Sequence, residues 1–149
     1  MKRQSLLLVL VVLAAVLGGC ARPSFDTQVD LPAITAAIQG AGLQTCAEGD
    51  LNWNLTAGFV EGKSVDVDTD CAGYDPNRPG ARIHIARFDS AAARDAALRD
   101  FETTYRRHIG PAIGRAVGPW LILVDGHRTM PALERLRTAL GQLAAQPAP

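Results

Sequence analysis

The sequence predicts an α+β domain: a largely antiparallel four-stranded sheet packed with about three helices, in the order α-β-β-β-α-β-α. Three observations predict it. The stretches "LNWNLTAGF", "SVDVDTDC" and "ARIHIARF" alternate apolar and polar residues with period two, as half-buried strands do. Leu98, Phe101, Tyr105 and Ile109, and later Leu133, Leu136, Leu140 and Leu143, recur at helical spacing. "WLILVDG" is apolar without a break, the mark of a strand buried on both faces. The chain of 149 residues leaves roughly 120 for a core once its first ~20 are set aside, enough for one domain.

The first helix is expected from Asp30 to about Gly40. Asp30 is placed to cap it, Pro32 suits its first turn, Leu31, Ile34, Ile38 and Ala41 share a face, and Gly40 and Gly42 end it. In "LNWNLTAGF" Leu51, Trp53, Leu55, Ala57 and Phe59 point one way, giving a first strand, and "EGK" reads as the turn to the second, which carries Val65, Val67, Thr69 and Cys71 on one face. "AGYDPNRPG" has the composition of a surface turn and leads to the third strand. Asp89 and Ser90 open a helix reaching about His108, with Ser90 as its cap, and Asp95 and Glu102 each stand four residues before an arginine, Arg99 and Arg106, in the stabilising orientation. "IGPAIGRAVGP" reads as a Gly/Pro-rich connection to the fourth strand, and Thr129 and Pro131 start the last helix. Residues 30–145 are thus expected to form one α+β domain, followed by a frayed tail over 146–149. A ferredoxin-like arrangement is one candidate for the fold; strand order does not follow from the pattern.

A formal charge of zero hides a division. Residues 26–75 hold nine carboxylates against Lys63 alone, whereas from 76 onward eleven arginines face six carboxylates. Without Lys2 and Arg3 the sum is 13 basic against 15 acidic groups, a net of −2, and a chain of that balance does not have the basic footprint that nucleic acid requires.

The N-terminus has a basic start "MKR", an apolar core from about Leu6 to Leu17, and small residues before a cysteine. That is the layout of a secretory leader, and the apolar run is shorter than the ~20 residues that span a bilayer. Leu17-Gly18-Gly19-Cys20 resembles the lipobox of bacterial lipoproteins. The resemblance implies that residues 1–19 are cleaved, that Cys20 carries a thioether-linked diacylglycerol, and that residues 20–29, "CARPSFDTQV", tether the domain to a membrane it does not span. Two or more acyl chains, at about 0.8 kcal/mol per buried methylene, would make that anchoring stable. Ala21 is the residue the class associates with outer-membrane sorting where the host has two membranes; otherwise the anchor is the outer leaflet of the plasma membrane. Export leaves Cys46 and Cys71 in an oxidising compartment, where they are expected to pair as a structural disulfide.

Other motifs are weighed against plainer readings. Asp66, Asp68 and Asp70 form D-x-D-x-D, but an EF-hand would need glycine and glutamate where Cys71 and Asn77 stand. Period two explains the three aspartates as the wet face of a strand opposite Arg82 and His84. His84, His108 and His127 lack any short metal-ligand spacing, so no metal is expected. No nucleophile motif or phosphate loop appears, so no catalytic residue is assigned and an enzyme is not expected. Trp53 and Trp120 fit core positions. One candidate ligand cleft stands out: Asp125, His127 and Arg128, between the buried strand and the last helix, where strand ends and helix N-termini create polar clefts. "IHIARFDSAAARDAALRDF" also resembles the strand-to-helix unit of SPOR domains, peptidoglycan-binding modules of ferredoxin-like fold, although His84 and Ala86 stand where that family has Gln and Gly. The expectation is an exported, lipid-anchored binding or assembly module for an envelope protein, or alternatively for a small or cell-wall ligand, with a hydrolase the least favoured alternative and no cofactor beyond the covalent lipid.

Overall fold

The computed structural model describes residues 25–54, 56–105, 113–126 and 131–145. The elements are α1 (Leu31–Gly40), β1 (Gln44–Asp50), β2 (Phe59–Asp68), β3 (Ala81–Phe88), α2 (Ala91–Tyr105), β4 (Ile113–Val117), β5 (Trp120–Gly126) and α3 (Pro131–Ala144). The class is α+β as expected, with five strands instead of four, in the order β1-β2-β3-β5-β4. Every neighbouring pair is antiparallel. β3 and β4, joined through α2, run parallel to each other with β5 antiparallel between them, the split β-α-β arrangement. Among the described residues no helix is long and apolar enough to cross a membrane.

Alternation along β2, β3 and β5 divides the side chains between two faces. On the first face Val65, Val67, Ile83, Ile85, Ile122 and Val124 pack against Ile34 and Ile38 of α1 and Leu133, Leu136 and Leu140 of α3. On the second, Ala86, Phe88, Leu121 and Leu123 meet Phe101 of α2, with Leu51, Trp53 and Phe59 closing the margin. β5 lies between β3 and β4 under both layers, so Trp120 to Val124 are all buried, as its unbroken apolar run predicts. Each such side chain stabilises the fold by about 1.5–3 kcal/mol relative to exposure.

The helices begin where their caps predict. Asp30 Oδ1 accepts from the Ala33 amide at 2.9 Å with Pro32 in the first turn, and Gly42 takes a φ of 80° just past the end of α1. Ser90 Oγ accepts from the Ala93 amide at the start of α2.

Three local expectations are corrected. The alternation in "LNWNLTAGF" is mainly a burial signal: only Phe59, at the start of β2, belongs to a strand, and Leu55 lies outside the described residues. Leu51, Trp53 and Phe59 do turn onto the second core, but the backbone there closes turns, Thr56 N to Trp53 O and Phe59 N to Thr56 O. β1 is instead "QTCAEGD", a polar edge strand, and "EGK" lies inside β2, where Lys63 reaches Glu48 at 2.9 Å. Gly62 is needed there because a Cβ would come within 2.6 Å of the Ile85 carbonyl. Within the Gly/Pro-rich connection, "IGRAV" pairs as β4, and Gly118 and Pro119 form its hairpin with β5. Gly118 supplies the positive φ, 54°, that such a tight turn demands.

Cys46 and Cys71 form the expected disulfide, their Cα atoms 5.3 Å apart. Packing also begins before Asp30. Thr27 and Val29 are buried, Trp120 Nε1 donates to the Val29 carbonyl at 2.7 Å, and the buried Arg94 donates to the Gly118 carbonyl and lies 5.5 Å from the centre of the Phe25 ring. The segment 25–29 is therefore held at the β4–β5 turn.

Candidate functional site

β3 brings two polar side chains, Arg82 and His84, onto the second face of the sheet, because they alternate with the buried Ala81, Ile83 and Ile85. The register sets a row across three strands: Asp66 on β2, Arg82 on β3 and Asp125 on β5. The next row is Ser64, His84 and Leu123. α2 covers the part of this face nearer the β4–β5 turn, and the polar rows occupy the other end.

Asp66 is the anchor of the row. Arg82 Nε donates to its Oδ1 at 2.6 Å and Arg82 Nη2 to its Oδ2 at 2.9 Å, a bidentate fork. Tyr74 Oη donates to Oδ2 at 2.7 Å, which ties the segment after the disulfide back to the sheet. The hydrogen bond from Arg82 outweighs burial and holds the Asp66 carboxyl below its usual range. The same bonds raise the Arg82 guanidinium and the Tyr74 phenol. With both oxygens occupied, Asp66 fixes Arg82 in place and is a poor proton carrier. Arg82 keeps 41% of its side chain exposed, and Nη2 also reaches the Pro76 carbonyl at 3.3 Å.

His84 lies under Trp53, ring centres 5.9 Å apart, and its Nδ1 is buried with no partner. Burial first, and the charge of Arg82 second, lower its pKa, so the ring is held neutral at pH 7. Ser64 is its cross-strand neighbour, but among the described residues no hydrogen bond joins the two. Beside them a cleft of about 210 Å³ opens between Trp53 and α2, with Leu123 and Phe101 as floor and Thr56, Asp100 and Thr104 as rim.

Of the sequence-predicted cleft, Asp125 takes its place opposite Arg82, half-buried and with no ion pair among the described residues, while His127 and Arg128 lie outside those residues. Cys20 and His108 lie outside them as well. The three aspartates do not share one wet face: Asp66 is buried, and Asp70 falls beyond β2, where it accepts from the Ala72 amide. Pairing of Asp66 with Arg82 is the part of that expectation the register contains. Tyr74 and Trp53 were not legible as members of the site. Tyr74 reaches it only because the segment after Cys71 folds back, and Trp53 only because its segment is a flap. Among the described residues no group of three metal-ligating side chains is gathered. The site offers an oriented guanidinium, a carboxylate, a neutral imidazole and an aromatic ring on a rigid sheet, a set suited to recognition. Comparison with known protein families, curated proteins and solved structures returned no match.

Proposed function

We propose that this chain is a lipid-anchored lipoprotein of a bacterial cell envelope, and that its α+β domain is a non-enzymatic module that binds or helps assemble a partner protein. Cleavage before Cys20 and lipidation of Cys20 provide the anchor, in the outer membrane of a two-membrane host or the outer leaflet of the plasma membrane otherwise. The observation that carries the reading is the placement of two features at opposite ends of the sheet. Thr27 is packed against the β4–β5 turn, and seven residues at no more than ~3.5 Å each put Cys20 within about 25 Å of it. The Arg82 and Asp125 row lies at the other end of β3 and β5, about 20 Å away along the strands. Anchored so, the domain turns its turn end to the bilayer and its polar end to the envelope space, where a partner would meet it.

A second reading, a small-ligand or cell-wall-binding module, draws on one observation: the cleft beneath Trp53 has an apolar floor and a hydrogen-bonding rim. Native mass spectrometry of the chain extracted from its own membrane tests both. Covalent lipid at Cys20 together with a bound protein supports the first reading, and bound small-molecule mass on a lipidated monomer supports the second. A chain without lipid overturns the anchoring. A Cys20→Ala variant should lose the lipid and leave the membrane fraction.

A further inference from the structure

The two edges of the sheet are built differently. β1 is blunted: a bulge falls between Thr45 and Ala47, the disulfide leaves the strand at Cys46, and Glu48 and Asp50 put charge along it. These are devices that stop a strand from pairing outward. β4, "IGRAV", has no proline and pairs with β5 without a register shift. Among the described residues no hydrogen bond reaches its outer side. An edge strand presents unpaired N–H and C=O groups that seek partners.

The space beside β4 is shaped for such a partner. Gly114, Arg115 and Ala116, three consecutive edge residues, line a cleft of about 540 Å³ whose walls are α2, through Leu98 and Arg99, and the end of α3, through Ala144. Because side chains alternate along a strand, a cleft lined by three residues in succession runs along the edge itself and reaches both faces. Gly114 lets α2 pack close at one end, since a Cβ there would come within 2.6 Å of Leu98, and the partly exposed residues of the strand are Gly114 and Arg115. The charges are cationic on balance: Arg94 and Asp95 neutralise each other at 2.8 Å, which leaves Arg99 and Arg115 against Glu102. Arg115 Nε is buried without an acceptor, a donor whose burial is unfavourable until one arrives.

We infer that β4 is a docking edge for an extended, carboxylate-bearing segment of a partner protein, which adds a sixth strand between α2 and α3 and places an acidic side chain on Arg115. This is strand addition, in which the main chain supplies affinity and the side chains supply selectivity. A second copy of the chain is the less suitable occupant. Arg115 is the middle residue of β4, so a two-fold antiparallel pairing of β4 with itself would set Arg115 opposite Arg115.

The inference rests on the reading of the chain as a protein-binding module, and the full detergent-solubilised chain tests it. The probe is a capped, fluorescently labelled heptapeptide alternating valine and glutamate. Two controls accompany it: the same peptide with alternate amides N-methylated, and one with lysine for glutamate. The glutamate peptide should slow hydrogen exchange at amides 113–117, and each control should bind about tenfold more weakly or worse, the effect of losing charge-assisted or backbone hydrogen bonds. Arg115→Glu should reverse the preference toward lysine; should that variant fail to fold, the peptide comparison on the unaltered chain decides alone. Equal binding of the N-methylated peptide, protection elsewhere, or no binding overturns the inference. So does a concentration-dependent dimer that protects 113–117 without peptide. The lipid mass on Cys20 is read from the same sample, so a failed anchor and a failed docking edge are separate results.

Discussion

Opening the Cys46–Cys71 disulfide should remove a large share of the domain's stability, and the size follows from the loop it closes. The two cysteines are separated by 25 residues. The entropy withheld from the unfolded chain, 2.1 plus 1.5R ln n, is about 12 cal/mol/K for that loop, or about 3.5 kcal/mol at 25 °C. The native state gives little of this back or away, because both cysteines are partly exposed and alanines there leave no sealed cavity. β1 itself buries no residue fully, so without the bridge its attachment depends on the ladder to β2 and the ion pair from Lys63 to Glu48. The assay is urea unfolding of the Cys46→Ala, Cys71→Ala double variant beside the oxidised chain, with hydrogen exchange resolved by strand. The expected result is a loss of about 3–4 kcal/mol, a steeper denaturant dependence because the unfolded chain is freer, and faster exchange in β1 than in β3 or β5. A loss below about 1 kcal/mol, or exchange rising uniformly, would refute the reasoning, since the bridge would then constrain a loop already ordered by other contacts.

Three further predictions test the other parts of the fold. Because burial lowers the pKa of His84 below 6.5, the unfolded chain binds the proton more readily, so this residue's contribution to stability is complete above pH 6.5 and is lost as pH falls toward the folded value; His84→Leu should flatten that part of a pH series of urea melts. Asp66 also has a lowered pKa, so its stabilisation is present above pH 3.8 and is lost as pH falls below it; Asp66→Asn should remove that acid-sensitive portion and cost about 2 kcal/mol at pH 7, measured the same way, less than a fully buried pair because Arg82 is partly exposed. Trp120→Phe deletes the donor to the Val29 carbonyl and should cost about 1–3 kcal/mol and speed limited proteolysis between Phe25 and Asp30, read by mass spectrometry of the fragments.

The elements legible in the sequence are those whose burial is decided locally. α1 carries its own cap, β3 its clean alternation and β5 its apolar run, and each appears where expected. The misread elements are those whose state depends on what they lie against. "QTCAEGD" has little strand propensity of its own and becomes β1 because β2 offers it a ladder and Cys71 a bridge. "LNWNLTAGF" has the period of a strand, yet β1 already occupies the place beside β2, and its apolar side chains close the second core from a flap. "IGRAV" sits among glycines and prolines that signal a loop, and only β5 makes it a strand. The same division runs through the site. Arg82 and His84 are visible as the polar positions of β3, whereas Tyr74 and Trp53 reach it along paths that no spacing encodes.

That division bears on how recognition could be added to such a domain. Ile83 and Ile122 are fully buried between the sheet and the helices of the first face, and a substitution at either would have to be accommodated by close-packed neighbours. β1 and β4 are the margins of the sheet, and with the Arg82 end of the second face they are where charged side chains stand. Arg115 and Arg82 do so in different ways. Arg82 is tied into a bidentate pair that fixes its geometry, while Arg115 keeps a donor without an acceptor, so its pairing is left to whatever docks. A fixed pair suits a surface that must keep its shape. An unsatisfied donor on an open edge suits one whose stability rises when it is occupied, because a ligand that binds only the folded chain adds its binding free energy to folding. The expected signature is a rise in thermal midpoint with the glutamate peptide that is absent with the lysine peptide and in an Arg115→Gln variant. A rise of equal size with both peptides would show that the edge, and not the charge, determines what β4 accepts.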